Sequence, residues 1–367
     1  MKKQLSLTRH AARSRVRRRP IRSSSPHSRK LPRKAGAAKR KRPMKRSGPY
    51  SDFVAGASAG SAWRGSHSGT PDLLRGAISE SWQRRFRETC GKGRVEWRQT
   101  LQRGKQYAAG FMQGAGMSVA LCPIPLQTKA SAVVCAGEDE NALVQTLSQL
   151  ELLPLHEIVV VAGQPTERLF SQARGLGNAI VVSLPDRVDP DIGRALGVKL
   201  TGADTVLFVD GANVVGAEQL ARFLWECDGK LDVVLNDLGA RMRTFRHRKG
   251  VERLQEFLNA SLKREDLKIN SLSVLPFALS RNALDTLGAG ALSVPVKAHA
   301  QAILKGLKFG TGGFVGAGGL PGFADSGWKK AAGDHAEAWR EALSVRGDRM
   351  HFADTMRNRG ILGEWAT

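Results

Sequence analysis

Between residues 130 and 236 the chain alternates two textures. Short apolar, β-branched runs lie at Ala132–Cys135, Glu157–Ala162, Asn178–Leu184, Thr205–Val209 and Leu231–Leu235. Stretches with helical spacing of apolar residues separate them, at Asn141–Leu152, Glu167–Leu176, Pro190–Leu200 and Ala217–Cys227. Strands separated by helices predict crossover units and a mostly parallel sheet. In such sheets ligands bind beyond the carboxyl ends of the strands, so the residues following each run are the first candidates. Ser271–Ser280 predicts a further strand and Lys297–Leu307 a further helix.

The flanks read differently. Residues 1–49 have almost no apolar periodicity and carry runs such as Arg17-Arg18-Arg19 and Lys39-Arg40-Lys41-Arg42. Like charges repel, and nothing there offsets the entropy of ordering, so a disordered basic tail is expected. Residues 50–70 are rich in Gly, Ser and Ala and read as linker. Residues 71–129 read as a helical connector, with Trp82, Phe86 and Trp97 as apolar anchors. Its window 107–126 is the most apolar of the chain, but glycines, Gln113, Pro123 and Pro125 interrupt it, so no transmembrane span is expected. Eight glycines lie between Gly306 and Gly322 without a phosphate-loop pattern, and a charged helical segment follows from Trp328. The expected organisation is tail and linker 1–70, connector 71–129, an α/β domain 130–310, then a Gly-rich loop and helical segment 311–367.

Charge changes the picture mainly at the amino end. The net charge of +24 is uneven: residues 1–51 hold 19 Lys or Arg and no acid, leaving 38 basic against 33 acidic residues in the rest. A tail of this kind attracts nucleic acid or an anionic membrane surface through counterion release. No aromatic precedes Tyr50, which argues against base stacking. The four cysteines form no CxxC and suit a reducing compartment, with Cys135 and Cys227 expected as buried thiols. These features point to a cytoplasmic protein, peripheral at a membrane if the tail binds one.

The strand ends carry recognisable words. SAVVCAGEDENALVQTLSQL (Ser131–Leu150), EIVVVAGQPTERL (Glu157–Leu169), DPDIGRALGVKLTGADTVLFVDGANVVGAEQLARFL (Asp189–Leu224) and LSVLPFALSRNALDTLGAGALSVPVKAHAQAILKGLKF (Leu272–Phe309) occur in this order. Together they resemble family 2 glycosyltransferases, the inverting type with the GT-A fold, over roughly half of the chain. The resemblance implies a GT-A-like mostly parallel sheet flanked by helices, a nucleotide-sugar donor, and a divalent cation, Mg²⁺ or Mn²⁺. Such an ion neutralises the departing diphosphate as a Lewis acid held by hard carboxylate oxygens. The resemblance also implies that Ala136, Gly137, Glu138, Arg194 and Asp210 hold the nucleotide and that Asp210 with Asn213 faces the metal.

The sequence departs from that pattern. The family's opening Asn is Glu138 here. The acid of the second turn is replaced by Ala162 and Gly163. The second acid of the DxD falls on Ala212. The Asn expected after Arg194 is Ala195. The Glu-Asp pair that contains the usual base falls near Val294-Pro295, where the nearest titratable groups are Lys297 and His299. His299 is the remaining candidate for catalysis. Each candidate also has a structural role open to it: Asp210 can cap its own turn, and Glu138 and Asp139 can favour a helix amino end. Two functions follow: a divergent inverting glycosyltransferase, or a degenerate transferase-like scaffold anchored through its basic tail.

Overall fold

The computed structural model describes residues 49–66, 70–90, 95–137, 139–316, 327–352 and 354. The expected tail up to residue 48, Glu138 and residues 317–322 of the Gly-rich stretch lie outside these residues.

Three helices open the described chain: α1 (Pro49–Ser66), α2 (Pro71–Cys90) and α3 (Trp97–Ala115). The expected linker over 50–70 is therefore a helix for most of its length. Its glycines pack rather than loosen. A Cβ on Gly56 would stand 2.1 Å from the Tyr107 carbonyl oxygen, and one on Gly60 would stand 2.0 Å from that of Phe111. Reciprocally, Cβ atoms on Gly110 and Gly114 would meet the carbonyl oxygens of Phe53 and Ala57 at 2.0 and 2.1 Å. Small residues four apart on both helices let the two backbones touch. That contact, invisible to composition, overrides the weak helix propensity of glycine. A buried carboxylate ties the layer together. Asp52 accepts from Arg103 Nε at 2.6 Å and Nη2 at 3.2 Å, and from Arg85 Nε at 3.4 Å. Among the described residues no helix is long and apolar enough to cross a membrane.

An extended connector leads into the sheet. Buried Asp228 holds it, accepting from the backbone of Gln127 and Thr128 at 2.6 and 3.1 Å. The strands are β1 (Ala130–Cys135), β2 (Glu157–Gly163), β3 (Ala179–Leu184), β4 (Thr205–Asp210), β5 (Val233–Leu235), β6 (Phe277–Ser280) and β7 (Phe309–Thr311). They form one seven-stranded sheet in the order β3-β2-β1-β4-β6-β5-β7. Only β6 runs antiparallel to its neighbours. The mixed α/β class with a mostly parallel sheet flanked by helices is thus as expected.

Strand alternation feeds two cores. Ala132, Val134, Ile158, Val160, Leu207 and Val209 face one side. There they meet α4 (Glu140–Glu151) and α7 (Ala217–Cys227). Val133, Val159, Val161, Val206 and Phe208 face the other side. That face is covered by α6 (Pro190–Val198), α8 (Gly250–Ser261), α9 (Arg281–Leu287), α10 (Pro295–Leu304) and α11 (Trp328–Arg346). The short helix α5 (Glu167–Gly175) follows β2. Phe208 and Phe277 stack at 4.6 Å across the β4–β6 pair. Cys135 and Cys227 are buried as expected, and burial pushes the Cys135 thiol up to about 12.

Breaking the Asp52 cluster leaves Arg103 facing a vacated carboxylate site. Asp52→Ala is expected to lower unfolding free energy by about 3–5 kcal/mol, as for removal of one partner of a buried pair. Gly60→Leu should separate α1 from α3. Urea unfolding with tryptophan fluorescence measures both, and a midpoint unchanged in either variant would refute this packing account.

Candidate functional site

The site lies at the carboxyl edge of the sheet, where β1 and β4 run side by side and the chain order turns outward in both directions. Cys135 of β1 pairs in register with Asp210 of β4. The turns that follow touch. The Gly211 N–H donates to the Cys135 carbonyl at 3.0 Å, and a Cβ on Gly137 would lie 2.8 Å from the Ala212 methyl. The position expected for a second acid is thus a methyl group pressed against the Gly137 backbone.

Asp210 is half-buried. Its Oδ1 accepts from the Ala212 N–H at 2.9 Å, and its Oδ2 accepts from Asn213 Nδ2. It lines a cavity of about 100 Å³ with Arg194, Val209, Asn213, Val215, Ser273, Leu275 and Pro276. The structure therefore brings together three of the residues predicted from sequence: Arg194, Asp210 and Asn213. Ser273, Leu275 and Pro276 were not anticipated. They precede β6, and because β6 is antiparallel its beginning reaches the ligand edge. The antiparallel pairing is the signal that could have found them, and no sequence period reveals it.

A larger cavity of about 440 Å³ lies on the β1–β2 side of this edge. Ala136, Gly137, Glu140, the turn Gly163-Gln164-Pro165, Arg187, Asp189 and Gly193 line it. Its volume falls within the ~300–1,000 Å³ range of small-molecule pockets. Ala136 and Gly137 thus stand where expected, while Glu138 lies outside the described residues. Asp139 serves structure: its side chain accepts from the Asn141 and Ala142 N–H groups and caps α4. Glu140 accepts from the Thr166 hydroxyl at 2.5 Å, which joins α4 to the second turn.

Arg194, on α6, is only 6% exposed. Its Nη1 stands 2.9 Å from Asp191 Oδ1, off the direction of a hydrogen bond, and both Nε and Nη1 have no hydrogen-bond partner. Lys330 reaches over from α11 and donates to Asp189 at 2.6 Å and Asp191 at 2.8 Å. Burial raises the Asp189 carboxyl, but Lys330 and the Asp191 N–H outweigh it and hold Asp189 below the usual carboxylate range.

The donor set does not fit a divalent cation. Among the described residues Asp210 is the one carboxylate lining its cavity, both of its oxygens are engaged within its own turn, and Asn213 adds no charge in either amide orientation. Hard cations of this class take several oxygen ligands. Among the described residues no group of three His, Cys, Asp or Glu side chains could hold an ion.

His299 does not belong to the site. It is fully buried in α10, its Nε2 is 2.8 Å from Asn259 Oδ1, and burial lowers it to about 3. A neutral ring locked in the core reaches no substrate proton. His335, on α11, is also buried, against Gln255 Oε1 and the Ala331 carbonyl. Asp334 lies in the same helix, and burial raises its carboxyl.

No protein-family model matches the chain. No curated protein matches it either. Among solved structures it is similar to glucosyl-3-phosphoglycerate synthase from Mycobacterium tuberculosis in complex with Mn²⁺, UDP and phosphoglyceric acid. That match has 17% identity over 62% of this chain and 81% of that one, with a TM-score of 0.43. A complex of the same enzyme with Mn²⁺, UDP-glucose and glycerol 3-phosphate matches at 17% identity over 60% and 80%, TM-score 0.42. A further mycobacterial protein matches at 19% identity over 60% and 75%, TM-score 0.41. At these values no site or chemistry is carried across.

The buried histidines set a pH dependence. A histidine whose folded pKa is depressed binds its proton only in the unfolded chain between that value and the ordinary one. Stability is therefore present above pH 6.5 and lost as pH falls towards about 3. His299 alone should remove about 2 kcal/mol between pH 7 and pH 5. Denaturant unfolding at both pH values should show the loss, and His299→Gln should flatten it. An equal loss in the variant would exclude this origin.

Proposed function

We propose that the carboxyl edge of β1, β2 and β4 binds a nucleotide-sugar donor and that the chain is a divergent inverting glycosyltransferase. The convergence of Asp210 and Arg194 in one cavity, beside a larger one walled by the turns after β1 and β2, carries this reading. The order of the four sequence blocks supports it. In this arrangement the larger cavity takes the nucleoside. Asp210 offers its carboxylate to the ribose hydroxyls, and Arg194 offers a cation to the diphosphate. Ala136 and Gly137 allow close approach because they carry little or no side chain. The acceptor would enter from the side of Ser273–Pro276 and the Gly-rich stretch.

A second reading has its own observation. Among the described residues the cavity at Asp210 holds one carboxylate, and the position of the expected base, near Pro295, opens helix α10 with Pro295 itself buried. These features favour a domain that binds a nucleotide sugar without transferring it, with residues 1–49 as its anchor to nucleic acid or an anionic surface.

Melting temperatures of the purified chain with UDP-, GDP- and dTDP-sugars test the donor site. At least one donor should raise the transition, by about 2.7 kcal/mol of added stability at a hundredfold excess over Kd. Asp210→Ala should abolish that shift. No shift with any donor would exclude both readings, and an unchanged shift in Asp210→Ala would move the donor elsewhere. Release of free nucleoside diphosphate from the donor in the presence of an acceptor separates transferase from binder.

For the anchor, nucleic-acid binding of the full chain and of a chain lacking residues 1–49 should differ strongly at low salt and converge at high salt. Equal binding by both would refute the role of the tail.

A further inference from the structure

We propose that the donor's diphosphate is neutralised by the Arg194 guanidinium rather than by a divalent cation, so that donor binding is independent of metal. The inference rests on the donor-site reading above and specifies its electrostatics. Three observations carry it.

The first is the missing ligand set. Ala212 occupies the place of a second acid, its methyl packed against Gly137, and Asp210 spends both oxygens on its own turn. A single carboxylate so engaged competes poorly with water for Mg²⁺ or Mn²⁺.

The second is the state of Arg194. A guanidinium that is 94% buried, with Nε and Nη1 lacking hydrogen-bond partners, is costly unless a ligand supplies acceptors. It lines the same cavity as Asp210. Its planar fork matches the paired oxygens of a diphosphate better than a point charge does. α6 holds it firmly: Asp189 caps the helix by accepting from the Asp191 N–H, and Gly193 presses on Cys135, where a Cβ would stand 2.9 Å from the thiol sulfur.

The third is the surrounding charge. Asp191 stands beside Arg194, but its other oxygen and Asp189 are both taken by Lys330. Asp210, which lines the same cavity, is a charge opposing an anion. β5 runs parallel to β4, and the segment after it carries Arg241, Arg243 and Arg246, all exposed. That segment is fastened to the chain that precedes β6 and lines the cavity: Asn236 Nδ2 donates to the Leu275 carbonyl at 3.1 Å, and the Gly239 N–H donates to Asn270 Oδ1 at 2.9 Å.

The test uses the full chain with two probes, inorganic pyrophosphate and UDP, each titrated in EDTA and in Mn²⁺. Affinities are read from melting shifts and calorimetry. The expected result is a dissociation constant that agrees within about twofold between the two conditions. Arg194→Gln should weaken both probes by at least about tenfold. Asp210→Asn should bind pyrophosphate in EDTA as tightly as the wild type or more tightly, since it removes the opposing charge. A metal site predicts the reverse for that variant. Because Arg194 is buried, near-UV circular dichroism first establishes that Arg194→Gln is folded. If it is not, Arg194→Lys decides: it keeps the charge, loses the fork, and should bind about tenfold more weakly.

Binding that requires Mn²⁺, loss of pyrophosphate binding in Asp210→Asn, or wild-type affinity in a folded Arg194 variant would each overturn the inference. Binding that requires Mn²⁺ would leave the donor reading standing. Binding of neither probe in either condition would remove both. Comparing Arg194 variants within the same chain separates this site from phosphate held by the basic residues 1–51.

Discussion

The contact between two turns governs this molecule. The turn after β1 and the turn after β4 meet so closely that Gly137 has no room for a side chain beside Ala212. The parallel pairing of Cys135 with Asp210 forces that meeting, because adjacent parallel strands deliver their exits to the same edge. Everything that makes a site follows from it. Asp210 is held at the strand end, Arg194 comes up from α6 on one face, and the chain before β6 closes the far wall. The same contact explains why the local chemistry is poor in acid. Position 212 serves packing here, so its methyl belongs to the architecture rather than to a ligand shell.

The sheet was legible in the sequence for a simple reason. Apolar runs such as Val206–Val209 alternate their side chains between two cores, and the intervening helices carry a single apolar stripe. Strand ends could therefore be placed, and with them Asp210, Asn213, Ala136 and Gly137. Arg194 was legible as part of a block of residues, but its burial and its unpartnered nitrogens were not. Those arise from α6 packing on β1, a relation between distant segments. Helix α1 was illegible because its stabilising contact is backbone against backbone, which composition reads as a loose Gly/Ser/Ala stretch. Helix α8 was missed because its periodic residues sit behind the basic run Arg241–Lys249, which masks the helical pattern. His299 was misread because a histidine on an amphipathic helix gives no sign of facing inwards.

Two ways of keeping charge out of water coexist in the chain. In the amino-terminal helices Asp52 is fully buried, and Arg103 and Arg85 satisfy it from two other helices. That cluster is closed, with its charge and hydrogen bonds consumed internally. Near the site the guanidinium of Arg194 is just as buried but is left with nitrogens unused. A fully satisfied network rigidifies the structure, whereas an unpaired buried polar group is costly.

Helix α11 has a consequence for how the protein comes into being. Its Ala338 and Ala342 complete the second core, and its Lys330 fixes the acids at the start of α6, some 139 residues earlier in the chain. During synthesis the strands and crossover helices emerge first and can pair as they appear. The outer surface of α8 and α10, which α11 covers, remains exposed until residue 346 is free. The crevice thus acquires its final charge balance at the last step of assembly, and a chain released before that step would present an apolar face to chaperones and proteases instead of a finished site.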